Sequence, residues 1–200
     1  RMLKLYDNRL SGNGYKTRLL MHQLGMPFEV EWVDILKGET RTPEFLAINP
    51  NGRIPTLVDS DYILPESNAI LCYLADGTPF LPDNRQVKGR ILQWLFFEQY
   101  SHEPNIATVR HWLAHLGYDA DDPQVLERQT KGEMVLNLMN EHLSVQPFFV
   151  GGDYTIADIA LYAYTHVAHE GGYDLSNRPA LKAWLDRVAN QPGYVTMDAD

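Results

Sequence analysis

The sequence predicts an α/β domain followed by an all-α domain. Short apolar or alternating runs of the kind found in strands occur only before Gly77. A proline-bearing linker comes next, and from Gln86 onward the apolar residues recur at helical spacing. We therefore assign residues 1–77 to the α/β domain, 78–85 to the linker and 86–200 to the helical domain.

The α/β domain is predicted to begin with a strand–helix–strand unit. Residues 3–6 form a short apolar run, residues 15–24 carry apolar side chains at helical spacing, and residues 28–33 alternate as in a half-buried strand. Because a helical crossover joins the two strands, we expect them to pair in parallel.

The remainder of this domain is predicted to hold a short helix, a hairpin and a third helix. Pro43 suits the first position of the short helix. Residues 56–58 and 62–64 are strand-like and separated by a tight turn, so they should form an antiparallel hairpin. Glu66 and Ser67 then open the third helix. This order of elements is similar to that of the thioredoxin-like fold.

Helical patterns fill the second domain. The longest contains Pro104, which should kink it. Thr155 and Asp158 form a capping-box pattern at the start of another helix, so we give Asp158 a folding role. The predicted helices cover residues 87–116, 123–143, 155–168 and 179–190.

The composition is that of a soluble globular chain. Of the 200 residues, 44% are hydrophobic, and 17 basic against 26 acidic side chains give a formal net charge of −9. This acidity disfavours nucleic acid and anionic membranes as partners, and no apolar run is long enough to span a bilayer. The single cysteine, Cys72, excludes internal disulfides and indicates a reducing, cytoplasmic location. Two histidine pairs at helical spacing lack a third ligand, so we expect no metal.

Residues 49–67 have the features of a receptor for a small peptide. A proline between a turn and a strand is a candidate for a cis bond, so Pro55 would leave the backbone of Ile54 open to an extended peptide. Ser67 opens a helix, where free N–H groups favour a carboxylate. Glu66 beside it suits an ammonium group. The expected ligand is an amino-acid head joined to a short peptide, and glutathione is such a molecule.

The Ile54-Pro55 turn, the run Glu66-Ser67-Asn68-Ala69-Ile70 and the pair Tyr73-Leu74 resemble the cytosolic glutathione transferases. That family has a cis-proline after the turn and a Glu-Ser pair opening the third helix. The Thr-Ile-Ala-Asp box of the second domain resembles its structural box, so the resemblance covers nearly the whole chain. It implies the glutathione transferase fold, glutathione as co-substrate with no further cofactor, and a homodimer.

A glutathione enzyme must stabilise a thiolate, and a hydroxyl donor in the loop after the first strand would do so. Ser11 lies there, just before the first helix. The theta- and delta-like bacterial relatives carry a serine at this place, which is the basis of a serine-type assignment. Two alternatives stay open: Tyr6, because tyrosine-type relatives carry their donor at the end of the first strand, and Asn13 as a further polar contact to the sulfur.

Arg53 is the expected cation for the glycine carboxylate of glutathione, with Lys37 and Arg41 as weaker alternatives. The second substrate, a small hydrophobic electrophile, is expected between the domains against the long kinked helix. Its candidate walls are Tyr100, His102, Pro104, Ile106, Ala107 and Arg110.

The sequence thus predicts a glutathione S-transferase that conjugates the thiolate of glutathione to hydrophobic electrophiles, as in detoxification. Glutathione-dependent peroxide or disulfide reduction, or isomerisation, is the alternative among enzymes. Isomerase relatives carry Ser-Ser-Cys where Ser11-Gly12-Asn13 stand here, which disfavours isomerisation. A non-catalytic scaffold of the same fold is the alternative outside enzymes, and the intact Glu66-Ser67 pair disfavours it.

Overall fold

The computed structural model describes residues 2–199. The chain divides into two compact units, one running to Asp76 and taking in the residues from Pro192, the other running from Gly77 to Gln191. This division differs from the predicted one at the end of the chain, because the tail from Pro192 belongs with the sheet rather than with the helices.

The first unit is built on a four-stranded mixed sheet with the strand order β2-β1-β3-β4. β1 pairs in parallel with β2 and antiparallel with β3, and β3 pairs antiparallel with β4. The predicted parallel pair and hairpin are therefore confirmed. The strands are β1 (Leu3–Asp7), β2 (Phe28–Trp32), β3 (Thr56–Asp59) and β4 (Tyr62–Pro65), and the helices are α1 (Gly12–Gln23), α2 (Pro43–Ile48) and α3 (Ser67–Ala75), with a 3₁₀ turn at Glu39–Arg41.

Helix α1 begins three residues before the predicted start at Tyr15. Ser11 occupies its N-cap, and the Ser11 Oγ accepts a hydrogen bond of 3.1 Å from the N–H of Gly14. That bond satisfies an N–H that would otherwise lack a partner, so Gly12 and Gly14 form part of the first turn of the helix. Gly25, with φ of 63°, follows the end of the helix.

The C-terminal tail is held against α1 through its backbone carbonyls. The Tyr15 hydroxyl donates to the Val195 carbonyl at 2.6 Å, and Arg18 Nη1 donates to the Met197 carbonyl at 3.0 Å. The Nε of the same arginine forms a buried ion pair with Asp7 Oδ2 at 2.7 Å. Carbonyl acceptors exist at every residue, so they leave no pattern in a sequence. For this reason the tail could not be assigned to its unit beforehand.

The second unit is helical, and its first helical stretch contains two π-helical segments. The first of these ends immediately before α5, where Pro104 stands in the opening turn. Proline has no N–H to donate, so one helical hydrogen bond is missing at Pro104, the residue where the sequence predicted a kink. The wider π-helical turn before it accommodates the missing bond. The helices are α4 (Arg85–Phe97), α5 (Glu103–Arg110), α6 (Pro123–Leu143), α7 (Ile156–Thr165) and α8 (Pro179–Ala189), with π segments at Glu98–His102 and His111–His115 and a 3₁₀ turn at Ala168–Gly171.

The predicted capping box at the start of α7 is confirmed. The N–H of Thr155 donates to Asp158 Oδ2 at 3.0 Å, while the Thr155 side chain accepts from the N–H of Ala157 at 3.3 Å. Across residues 2–199, none of the helices combines the length and apolar character needed to cross a membrane.

Candidate active site

The turn before β3 presents an unpaired stretch of backbone. The Ile54–Pro55 peptide bond is cis, as the sequence predicted. The carbonyl of Arg53 accepts from the side chains of Asn49 at 2.9 Å and Thr56 at 3.1 Å, which fixes the turn. Within residues 2–199, neither the N–H nor the C=O of Ile54 makes a hydrogen bond. An extended peptide could therefore pair with this residue.

Glu66 and Ser67 lie at the start of α3 in an unusual backbone conformation. Glu66 has φ of 75°, one of only two positive values among the described non-glycine residues. Its exposed side chain forms no capping hydrogen bond. A side chain held in a disfavoured backbone conformation without capping the helix points to a binding role. Ser67, in contrast, is buried at the first position of the helix.

The first turns of α1 and α3 meet at this place. The Ser67 hydroxyl donates to Asn13 Oδ1 at 3.2 Å, although the two residues are 54 positions apart in the chain. Two helix N-termini therefore face one region beside the cis-proline turn. Each contributes partial positive charge from its free N–H groups, so the region is suited to an anionic ligand.

Ser11 lies in the same first turn as Asn13, with only 9% of its surface exposed. Its Oγ is an acceptor in the N-cap bond described above, which uses a lone pair and leaves the O–H proton for another acceptor. Within residues 2–199, the N-cap bond is the one hydrogen bond described for this oxygen. A hydroxyl that caps a helix can therefore still donate to an anionic sulfur.

Tyr6 lies in a different environment. Its ring packs edge-on against Phe45 of α2, with the ring centroids 5.8 Å apart, and Lys4 lies over it at 4.9 Å. In β1 the side chains of Leu5 and Asp7 are fully buried on the opposite face. Tyr6 is therefore directed toward α2, away from the face carrying the buried residues of the strand.

The structure adds Lys16 to this group, a residue that the sequence analysis missed. Lys16 is completely buried, and its Nζ donates to Asn13 Oδ1 at 2.8 Å and to Ser67 Oγ and Asn68 Oδ1 at 3.3 Å each. A signal was available: Lys16 stands three and four residues before Leu19 and Leu20, on their apolar helix face. A lysine on the buried face of a helix is almost never fully buried unless its ammonium group has hydrogen-bonding partners.

The three candidate cations for the glycine carboxylate differ in their contacts. Lys37 forms an ion pair with Asp34 at 3.3 Å, and Arg41 Nη1 donates to the Asn51 carbonyl at 3.3 Å. Arg53 is exposed and forms no ion pair within the described part of the chain. Arg53 therefore stays the preferred prediction for this contact.

The six residues predicted for the second substrate fall into exposed and buried groups. Tyr100 is 88% exposed and Pro104 is half-buried. Buried His102 contacts the Thr165 hydroxyl at 2.8 Å, and buried Arg110 pairs with Glu170 at 2.6 Å. The second-substrate site stays a prediction, and its other two members, Ile106 and Ala107, are buried in the helical unit.

No group of three or more histidine, cysteine or acidic residues within 2–199 is arranged to hold a metal ion.

Two family models match the chain: glutathione S-transferase, N-terminal domain, over residues 1–76, and glutathione S-transferase, C-terminal domain, over residues 92–192. The crystal structure of a glutathione S-transferase from Pseudomonas fluorescens is 49% identical, with a TM-score of 0.96 over 98% of this chain and 99% of that one. Glutathione S-transferase F10 of Arabidopsis thaliana is 32% identical over 88% of this chain and 86% of its own length. The disulfide-bond oxidoreductase YfcG of Escherichia coli is 32% identical over 90% of this chain and 87% of its own.

Proposed function

Because the chain belongs to the glutathione S-transferase family, we propose that it is a serine-type enzyme of the bacterial theta/delta-like kind in which Ser11 stabilises the glutathione thiolate. Glutathione lies antiparallel to Ile54, next to Pro55, with its γ-glutamyl head at Glu66 and Ser67. Arg53 receives the glycine carboxylate, and Asn13 lies near the sulfur.

The direct hydrogen bond between Asn13 and Ser67 carries this proposal. It brings the turn that holds Ser11 next to the turn that would hold the amino-acid head. Ser67 and the Glu66 carboxylate offer complementary groups for the head, while the open backbone of Ile54 suits the cysteinyl residue in the middle of glutathione. The sulfur is then directed toward the first turn of α1.

The energetic demand on Ser11 is modest. Lowering a thiol pKa of about 8.5 by one to two units requires roughly 1.4 to 2.7 kcal/mol of preferential stabilisation of the anion. One hydrogen bond to a charged acceptor provides about 1.5–3 kcal/mol. The thiol proton leaves to solvent, and the thiolate then forms a sulfur–carbon bond at the electrophilic carbon as the leaving group departs.

Replacing Ser11 by alanine tests the assignment. Ser11→Ala should raise the pKa of the thiol of bound glutathione by about one unit or more. It should also reduce turnover at neutral pH and leave the affinity for glutathione nearly unchanged. The thiolate is followed by its ultraviolet absorbance during a pH titration of the complex. Tyr6→Phe is the matched hydroxyl deletion and should leave the titration as in the wild type; the reverse pattern would transfer the role to Tyr6.

A second candidate function is glutathione-dependent disulfide reduction, favoured by the similarity to the Escherichia coli oxidoreductase. Cys72 is the sole cysteine, so two glutathione molecules would have to supply both electrons. Parallel assays with an aryl halide and a small disulfide separate the two. We expect the aryl halide to be the better substrate, since a hydrophobic electrophile is the proposed partner.

We further propose that the protein is a homodimer. Leu92, Phe96 and Tyr100 recur every four residues along the first helical stretch of the second unit and are 39%, 72% and 88% exposed, respectively. Exposed apolar side chains in a row are typical of a surface that another protein covers. In this proposal Tyr100 contacts the partner chain instead of the second substrate.

A further inference from the structure

Lys16 is an unusual residue at the proposed glutathione site. None of its surface is exposed. Burying an ammonium group removes it from water at a large cost, so lysine is seldom buried without specific partners. The hydrogen-bond partners described for it here are neutral oxygens of Asn13, Ser67 and Asn68. Lys16 thus connects the first turn of α1 with the first turn of α3.

The directions of these hydrogen bonds determine the orientation of two polar side chains. An ammonium group can only donate, so the oxygens of Ser67 and Asn13 both act as acceptors toward Lys16. Ser67 then uses its single proton to donate to Asn13 Oδ1. With two donors directed at Oδ1, the amide nitrogen of Asn13 must lie on the other side of that side chain. Lys16 therefore fixes which end of the Asn13 amide faces Ser67.

The location of the Lys16 ammonium also gives it an electrostatic effect on a bound ligand, in addition to its effect on the orientation of Asn13 and Ser67. The N-termini of α1 and α3 carry partial positive charge, and the Lys16 ammonium lies between their first turns. In a region shielded from water, a positive charge of this kind acts more strongly on a bound anion than it would at the surface. A carboxylate and a thiolate are both anions of glutathione.

We propose that Lys16 is a positioning residue of the glutathione site, which orients Ser67 and Asn13 and favours the anionic forms of the bound peptide. This inference rests on the proposed function. Lys16 acts through its neighbours and through charge, and it replaces none of the roles given to Ser11, Glu66 or Ser67.

Lys16→Met tests the inference because it keeps the aliphatic stem and removes the ammonium. We expect the dissociation constant for glutathione, measured by calorimetry, to rise about tenfold, and the pKa of the bound thiol to rise by about one unit. Lys4→Met is the control, since Lys4 is a half-exposed lysine of the same unit that pairs with Glu31 at 3.0 Å. It should leave both quantities unchanged.

The outcomes separate the inference from the proposed function. If Lys16→Met is folded and binds glutathione with wild-type affinity and thiol pKa, Lys16 only fills space and the inference is overturned. Should that variant not fold, Asn68→Ala decides, because it removes one acceptor of Lys16; a threefold loss of affinity supports the inference and an unchanged affinity overturns it. Wild-type protein that binds no glutathione would overturn the proposed function as well.

Discussion

Gly14 is constrained by its closest neighbour, Asp7. A Cβ placed on Gly14 would lie 1.5 Å from Asp7 Oδ1. The carboxylate cannot move aside, because its other oxygen is held by Arg18 at 2.7 Å in a fully buried ion pair. Glycine at this position lets α1 approach the end of β1, and so places Ser11 close to the C-terminal end of this inner strand.

Gly14→Ala should therefore destabilise the protein by about 1–3 kcal/mol or more, the usual range for overpacking a buried site. Gly89→Ala is the matched control, because Gly89 is exposed within α4 and a Cβ there meets nothing within 4 Å. That change should stabilise by about 0.5–1 kcal/mol, since alanine is the better helix former. Thermal melting followed by circular dichroism measures both, and a Gly14→Ala variant that melts like the wild type would contradict the expectation.

Some residues of the candidate site carry a local sequence signal, and others are recognised only from the fold. The cis bond at Ile54-Pro55 and the start of α3 at Glu66-Ser67 follow from local turn and helix signals, so both were predictable. Lys16 was not predicted, because two of its three described partners, Ser67 and Asn68, belong to α3, 51 and 52 residues away, and only the fold brings them close to it. Hydrogen bonds between distant polar side chains carry no periodicity that a sequence could show.

Among the elements, the start of α7 depends on Asp158 for contacts well beyond its own helix. Besides the capping box, Asp158 Oδ1 accepts from the N–H of Phe149 at 3.0 Å and from Trp184 Nε1 of α8 at 2.9 Å. The sequence predicted only the capping role. Asp158 in fact joins α7 to α8 and to the turn before α7. Its removal should therefore lower the free energy of unfolding by more than the removal of a residue that only caps a helix.

The stability of this junction should depend on pH. Burial raises the pKa of Asp158 from 3.8 to about 6, although its hydrogen bonds oppose the shift. The pKa of Asp158 is higher in the folded state than in the unfolded state. The contribution of Asp158 to the free energy of unfolding is therefore complete below about pH 4 and is lost as the pH rises through about 6. The difference amounts to about 3 kcal/mol.

Asp158→Asn cannot ionise, so this pH dependence should be missing from the variant, whatever constant cost it carries. We expect the unfolding free energy of the wild type minus that of the variant to fall between pH 4 and pH 7. Urea titrations followed by tryptophan fluorescence measure it, and a difference that stays flat or rises over this interval would refute the assignment.

Element boundaries were predictable where a local signal exists and were missed where it does not. Pro43, Gly25 and Thr155 mark helix ends through backbone geometry or capping, and the helices begin or end beside them. The two π segments follow the same apolar spacing as the helices around them, so only Pro104 hinted at one.

At the scale of the whole molecule, the row formed by Leu92, Phe96 and Tyr100 should determine assembly. Phe96 is the central member, and a carboxylate there would place an unpaired charge in the covered surface. Phe96→Asp should therefore convert a particle of twice the chain mass into one of a single chain mass in light scattering. Val145→Asp, at a position after the end of α6 that is 83% exposed, should leave the dimer intact. A Phe96→Asp variant that stays dimeric would place the interface elsewhere, since a buried, unpaired carboxylate costs several kcal/mol in a packed contact.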